Sequence, residues 1–291
     1  MHLIATLFKL NRLNDILNVA DGLIIGHAQF GTRLTNAFEL DEIIRISNQT
    51  KRQKKALFLM ANQMMDDEQL QAFDAFIKSL PIDHFKGIVV ADLGAVMVLK
   101  SLGLQHLAIY HPETLHTNMH DFNFLSRLSV FGAFVAKEIV LEDIITIAQN
   151  KKHNLFITGH GHLNMFYSKR HLIKNFTEYA KISKAFENNQ QLKIIESERD
   201  DSPYPILEDL AGTHVFRCEV LSSYDVLDQL KKHVDYMIID AIFKDDDYTI
   251  DIIKLYQNKV KDHTLEIKRL QDKYKETWDD GFYNKKTVYK K

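Results

Sequence analysis

His160-Gly161-His162 places two imidazoles two residues apart, a ligand pair resembling the one with which barrel metallohydrolases hold zinc or a similar ion at a strand end. His111, Glu138 and Asp240 are candidates to complete such a site, with Glu138 as general base toward a metal-polarised water. A divalent metal is therefore a candidate cofactor. Against it, the pair follows the seventh apolar run rather than the first, and 14 histidines make chance pairs common. Other polar residues recur where apolar runs end: Lys9, His27, Asn62, Asp92, His111, Glu138, His160 and Asp240. If those runs are strands of one closed barrel, the side chains converge on a single mouth, where barrel active sites sit. Helix capping is the competing use for Asp and Asn at such places.

Tyr167, Lys169, Arg170 and His171 form a basic, partly aromatic stretch fit to hold a phosphate or carboxylate, because an arginine can donate two parallel hydrogen bonds to either. A solvated helix face is the alternative. His111, His116 and His120 fall in HPETLHTNMHD, which reads as a loop, with Pro112, Thr114, Thr117 and Asn118 as turn and capping groups. No G-x-S-x-G occurs, and Cys218, in FRCEV, reads as a buried structural thiol, so a serine or cysteine protease of familiar design is unsupported. Neither a G-x-G-x-x-G after a strand nor a Walker loop is present.

The elements that position these groups follow from periodicity. Eight runs read as strands: 3–9, 22–26, 55–61, 87–92, 107–111, 130–137, 154–159 and 235–240. They are apolar throughout rather than alternating, so both faces are expected to be buried. Amphipathic stretches between them, such as Leu40 to Ser47, Asp66 to Leu80, Leu93 to Ser101 and Leu141 to Gln149, read as helices. Eight alternations predict an α/β fold, a (β/α)8 TIM-like barrel with an α+β insertion between strands seven and eight. A doubly wound open sheet is the runner-up, since periodicity cannot see closure. The insertion, 163–232, is expected to open with a helix from Leu163 to Ala180, continue with strands 192–198 and 213–220 around the turn-rich DDSPYP, and close with a helix from Tyr224 to Lys232. We expect one barrel domain over 1–291, ending in a helix and basic tail over 264–291.

Composition narrows the function classes. The chain has 291 residues, and 37 Lys and Arg against 39 Asp and Glu leave a net charge of −2, so nucleic acid must be met by a local patch or through a partner. One cysteine cannot form an internal disulfide or hold an iron–sulfur cluster, which commonly takes four. No run of about 18 apolar residues offers a membrane span, and the N-terminus lacks signal-peptide character. The expectation is a cytoplasmic protein with no membrane partner.

Several segments, taken in order, resemble the collagenase-like peptidase family U-32: ADGLIIGHAQFGTR (20–33), FELDEI (38–43), GIVVADLGAV (87–96), LHTNMHD (115–121), VAKEIVLEDI (135–144), FITGHGHLNMFYSKRHLIKN (156–175) and the ending WDDGFYNKKTVYKK. The resemblance implies a barrel and points to Arg33, Asp92, Glu138, His160, Gly161, Tyr167, Ser168 and Arg170. With the strand-end residues, the candidate set is Asp92, Glu138, His160 and Asp240 for catalysis, Arg33, Asn62, His111, Tyr167 and Arg170 for substrate binding, and His160 with His162 for a metal. Longer family members have cysteines where this chain has Asn164 and His171, and another near Leu227, and they hold a [4Fe–4S] cluster; none is implied here. The family's strand-eight K-I-E-G-R reads Ile238, Ile239, Asp240, Ala241, Ile242, keeping an acid but losing Lys and Arg.

What the resemblance implies for function is a short, cluster-free partner subunit. It would act with a longer cysteine-containing relative in 5-hydroxylation of the tRNA wobble uridine, helping to bind tRNA or a prephenate-like donor. The basic end, Lys285, Lys286, Lys290 and Lys291 with Tyr283 and Tyr289, is a candidate RNA contact, or a frayed tail. A metal-assisted peptidase and a non-catalytic scaffold are the alternatives.

Overall fold

The computed structural model describes residues 1–184, 186–197, 199–257 and 263–285, with backbone only at 199–202. Strands and helices alternate from the start: β1 (His2–Thr6), α1 (Leu13–Val19), β2 (Gly22–Gly26), α2 (Leu40–Arg52), β3 (Ala56–Ala61) and α3 (Asp67–Ser79). Then come β4 (Gly87–Val90), α4 (Leu93–Ser101), β5 (Ala108–Tyr110), α5 (Met119–Asn123), β6 (Gly132–Phe134) and α6 (Leu141–Gln149). Helix starts are marked by side-chain caps. Asp66 accepts from Gln69 N at the head of α3, and Asp92 from Ala95 N at the head of α4, each satisfying a donor the helix leaves orphaned.

The later chain holds β7 (Asn154–Ser168), α7 (Leu172–Tyr179), β8 (Lys193–Glu196), β9 (Arg199–Asp209), β10 (Gly212–Ser222), α8 (Leu227–Leu230), β11 (Tyr236–Ile239), α9 (Asp246–Gln257), α10 (His263–Tyr274) and β12 (Trp278–Asp279). Strands β1 to β7 pair in parallel sequence, β11 joins β1, and β11 also pairs with β7, Tyr236 opposite Phe156. That last ladder closes an eight-stranded parallel barrel and removes the open-sheet alternative.

Closure explains why the strands are apolar on both faces. Ile4, Ile24, Phe58, Val89, Ile109, Phe134, Phe156, Tyr236 and Ile238 point inward and form one buried cluster. Their neighbours, such as Leu3, Leu23, Leu57 and Ile88, face the helices in a second, larger one. Full burial of such a side chain stabilises the fold by about 1.5–3 kcal/mol, before conformational entropy is subtracted. The Phe156 and Tyr236 rings stack with centroids 4.5 Å apart, and Phe58 meets Tyr236 edge-on at 5.3 Å. This aromatic plug fills the lower barrel.

Three local expectations fail in the insertion. Residues 163–168 are not helical: β7 continues out of the barrel to Ser168 and pairs antiparallel with β10, Tyr167 opposite His214, and the helix is confined to Leu172–Tyr179. Aromatic residues such as Phe166 and Tyr167 suit a strand, and the β10 partner supplies the ladder that decides the matter. Likewise DDSPYP is not a turn but part of β9, between β8 and β10. Cys218 lies in a bulged stretch of β10 and is half-buried rather than enclosed.

Candidate functional site

The barrel's C-terminal mouth opens into two adjoining cavities of ≈ 90 and ≈ 260 Å³ that share Thr32, Arg33, Asn62, His111, Glu113 and Lys137 in their walls. Each group arrives from a strand-to-helix loop: Arg33 after β2, Asn62 after β3, His111 and Glu113 after β5, Lys137 after β6. Glu113 is the hub. Its Oε1 pairs with Arg33 Nη2, and its Oε2 accepts from Lys137 Nζ at 2.9 Å. Burial alone would raise the Glu113 carboxyl, yet Arg33, helped by His111 and Lys137, holds it well below the usual carboxylate range. His111 lies 3.6 Å from the same carboxylate. Burial pushes it down to about 4, against the pull of Glu113, so it is neutral at neutral pH. Its buried Nδ1 makes no hydrogen bond among the described residues.

The insertion supplies the second wall. Asp209, at the end of β9, accepts from Arg33 N at 2.9 Å and from Thr32 Oγ1 at 2.8 Å, and its other oxygen meets His214 Nε2 at 3.1 Å. Asn62 Oδ1 accepts from Thr32 N at 3.0 Å. Tyr167 stacks on His214 with centroids 4.9 Å apart and donates to Ala211 O. The loop after β2 is thus clamped between barrel and insertion, which sustains Arg33 in the left-handed backbone region at φ 55°, a conformation unfavourable for a residue with a Cβ.

Asp240, after β11, lines the first cavity from the opposite side. It accepts from Ile242 N at 3.0 Å and Thr35 Oγ1 at 3.3 Å, yet burial outweighs both and pushes its carboxyl up to about 6. Gly161 makes room for it: at φ 138°, a Cβ there would lie 2.6 Å from the Asp240 carbonyl oxygen.

The structure therefore brings together Arg33, Asn62, His111, Tyr167 and Asp240, and separates the rest of the expected set. Asp92 spends its carboxylate as the α4 cap and on Met65 N. Glu138 is exposed and outside both cavities. Arg170 is exposed too, beyond the end of β7. His160 turns away from the mouth into the layer behind β7, its Nε2 2.8 Å from the Tyr248 hydroxyl and its ring edge-on to Trp278; burial pushes it down to about 3. His162 borders the first cavity, but its Nδ1 is taken by Arg217 O at 2.9 Å. No group of three or more His, Cys, Asp or Glu side chains among the described residues is arranged to hold a metal ion. The metal-assisted peptidase arrangement of His160, His162, His111 and Glu138 is not assembled.

Asn164, at one position where longer family members carry a cysteine, donates its amide to Phe166 O and Val215 O, and Leu227 is buried in the apolar layer. Sequence reasoning missed Glu113, Lys137, Asp209 and His214. Only the barrel rule could have flagged Glu113, three residues past β5, and nothing local marks Asp209 or His214. The tail differs as well: Tyr283 is buried, its hydroxyl 2.7 Å from Ser223 Oγ, and Lys285 pairs with Asp279. Lys286, Tyr289, Lys290 and Lys291 lie outside the described residues.

Three similarities bear on identity. The model of peptidase family U32 matches residues 10–289. The tRNA hydroxylation protein P2 of Bacillus subtilis (strain 168) is 24% identical over 289 residues, 93% of each chain. The solved structure of the U32 peptidase Mk0906 superposes with a TM-score of 0.52 at 15% identity, covering 83% of this chain and 92% of that one, which supports the barrel fold. No described helix is long and apolar enough to cross a membrane.

Proposed function

Because this chain belongs to peptidase family U32, we propose that it works in tRNA hydroxylation as a cluster-free subunit beside a longer, cysteine-bearing family member. The observation that carries this reading is its likeness to the tRNA hydroxylation protein P2, sustained over 93% of both chains. The composition agrees, because one cysteine cannot ligate an iron–sulfur cluster, and redox chemistry then falls to the partner. The reaction is 5-hydroxylation of the wobble uridine, in the cytoplasm where tRNA resides.

This chain's share is binding and orientation. Arg33 and Lys137 meet at one carboxylate, Glu113, so an anionic group such as the carboxylate of a prephenate-like donor can compete for the same two cations. Neutral His111, with its unbonded Nδ1, and Asn62 offer neutral polar contacts beside them. Asp240, poised near 6, can hold or release a proton at the opposite wall.

The test is to delete the gene in its native host and quantify hydroxylated uridine in tRNA by mass spectrometry, with tagged protein recovered in parallel. Loss of the modification, restored by the intact gene, and recovery of a cysteine-rich relative are expected. Undiminished hydroxylation would overturn the reading. Metal-dependent peptide cleavage by the purified chain, lost in Glu138→Gln, would establish the peptidase instead.

A further inference from the structure

The face of the insertion beyond the mouth is both cationic and aromatic. Over residues 165–184 the sequence carries Lys169, Arg170, Lys174, Lys181 and Lys184 against a single acid, Glu178, in a chain whose overall charge is −2. All five cations are exposed. Positive charge is thus concentrated in this stretch of the sequence.

The apolar side chains of this segment are turned outward as well. Leu172, Phe176 and Tyr179 recur at helical spacing along α7 and are 39%, 61% and 88% exposed, while Thr177, on the opposite side, is buried. Side chains four and three positions apart are neighbours on a helix surface, so the two exposed rings lie on one face of α7. Met165 and Phe166, near the end of β7, are exposed as well. An apolar stripe that faces water gives α7 no packing energy, and the helix is held by polar anchors instead. Glu208 accepts from Ile173 N and Lys174 N at 2.8 and 3.0 Å, and Thr213 Oγ1 from Leu172 N at 2.9 Å. The fold fixes the helix with its rings outward.

This surface is continuous with the mouth. Met165 and Tyr167 line the larger cavity, and β7 leads from them to Lys169 and Arg170 and into α7. We propose that Lys169, Arg170, Phe176 and Tyr179 form a docking surface for single-stranded RNA that delivers a base toward the mouth. The inference rests on the tRNA reading and supplies its contact face. Exposed cations answer a phosphate backbone, and exposed rings stack on unpaired bases, the combination used by sequence-tolerant single-strand binders. A purely apolar protein partner would leave the five cations without a counter-charge, and a purely electrostatic contact would leave the rings without a role.

The full-length protein is titrated into a fluorescein-labelled, unmodified anticodon stem–loop RNA, and into a duplex of the same composition, over a range of salt. Preference for the stem–loop is expected. Lys169→Ala with Arg170→Ala should flatten the salt dependence by between one and two units of slope. Phe176→Ala with Tyr179→Ala should weaken stem–loop binding about tenfold at fixed salt and leave the slope near its original value. Thermal melts confirm that these exposed substitutions leave the fold intact. Stem–loop affinity untouched by both pairs would overturn the proposal. So would loss of the cysteine-rich relative on co-purification with RNA binding unchanged, which would make the face a protein contact. Failure here is separable from failure of the tRNA reading. Variants that bind no RNA but still complement the deletion sink only the docking surface. RNA binding through these residues in a chain whose deletion spares tRNA hydroxylation sinks only the reading of function.

Discussion

Arg33 and Glu113, ion-paired across the barrel mouth, are both held in the left-handed backbone region, at φ 55° and 60°. Two side-chain-bearing residues in that region cost the fold of order 1–3 kcal/mol each, and at this mouth the result is a fixed carboxylate between two cations.

Changing Glu113 to Gln should therefore destabilise the protein at pH 7 by about 2 kcal/mol, because Arg33 and Lys137 lose their shared counter-charge in a partly buried setting. The Glu113 carboxyl is lowered in the fold, so its stabilisation is present above its unfolded value near ~4.3 and fades as pH falls toward the lowered one. Urea unfolding at pH 7 and at a pH below the unfolded value of ~4.3 checks this. The original protein should lose more stability on acidification than Glu113→Gln, and parallel losses would contradict the charge argument.

Asp240 should show the opposite sign. Its carboxyl is pushed up to about 6 by burial, so its contribution is fully present below the unfolded value near ~3.9 and is lost as pH rises through 6. Between pH ~3.9 and a pH above 6 the protein should lose about 3 kcal/mol from this group. Asp240→Asn keeps acceptors for Ile242 N and Thr35 Oγ1 and should remove that slope in a chemical-denaturation series.

His160 should behave as a core residue. Replacement by Ala opens a cavity and strips partners from the Tyr248 and Tyr256 hydroxyls, at a cost of about 3 kcal/mol. Ligand affinity at the mouth, measured by calorimetry where the variant stays folded, should stay within about twofold, the ring being on the far side of β7. A selective loss of binding with unchanged stability would return His160 to the site.

Two glycines separate strain from crowding. Gly103→Ala meets nothing within 4 Å but keeps a φ of 73°, and should cost about 1 kcal/mol. Gly161→Ala adds a 2.6 Å approach to the Asp240 carbonyl at the β7–β11 closure, and should cost at least twice as much or abolish folding. Melting temperatures order the two, and equal shifts would show that closure tolerates the clash.

The sequence alone determined the eight strands, since runs such as GLIIG and GIVV are apolar at every position and can rest only between two buried layers. It also determined that polar residues stand at strand ends, Asn62, His111 and Asp240 among them, where a barrel builds its mouth. Only tertiary structure decided which polar groups meet. Glu113 joins Arg33 from 80 residues away, and Asp209 reaches Thr32 from 177 away, pairings that no local spacing encodes. It also decided that His160 faces Tyr248 in the layer behind β7 while Glu138 faces solvent. The physical reason is that periodicity reports burial along one element, whereas a site is made by the register with which separate elements close on each other.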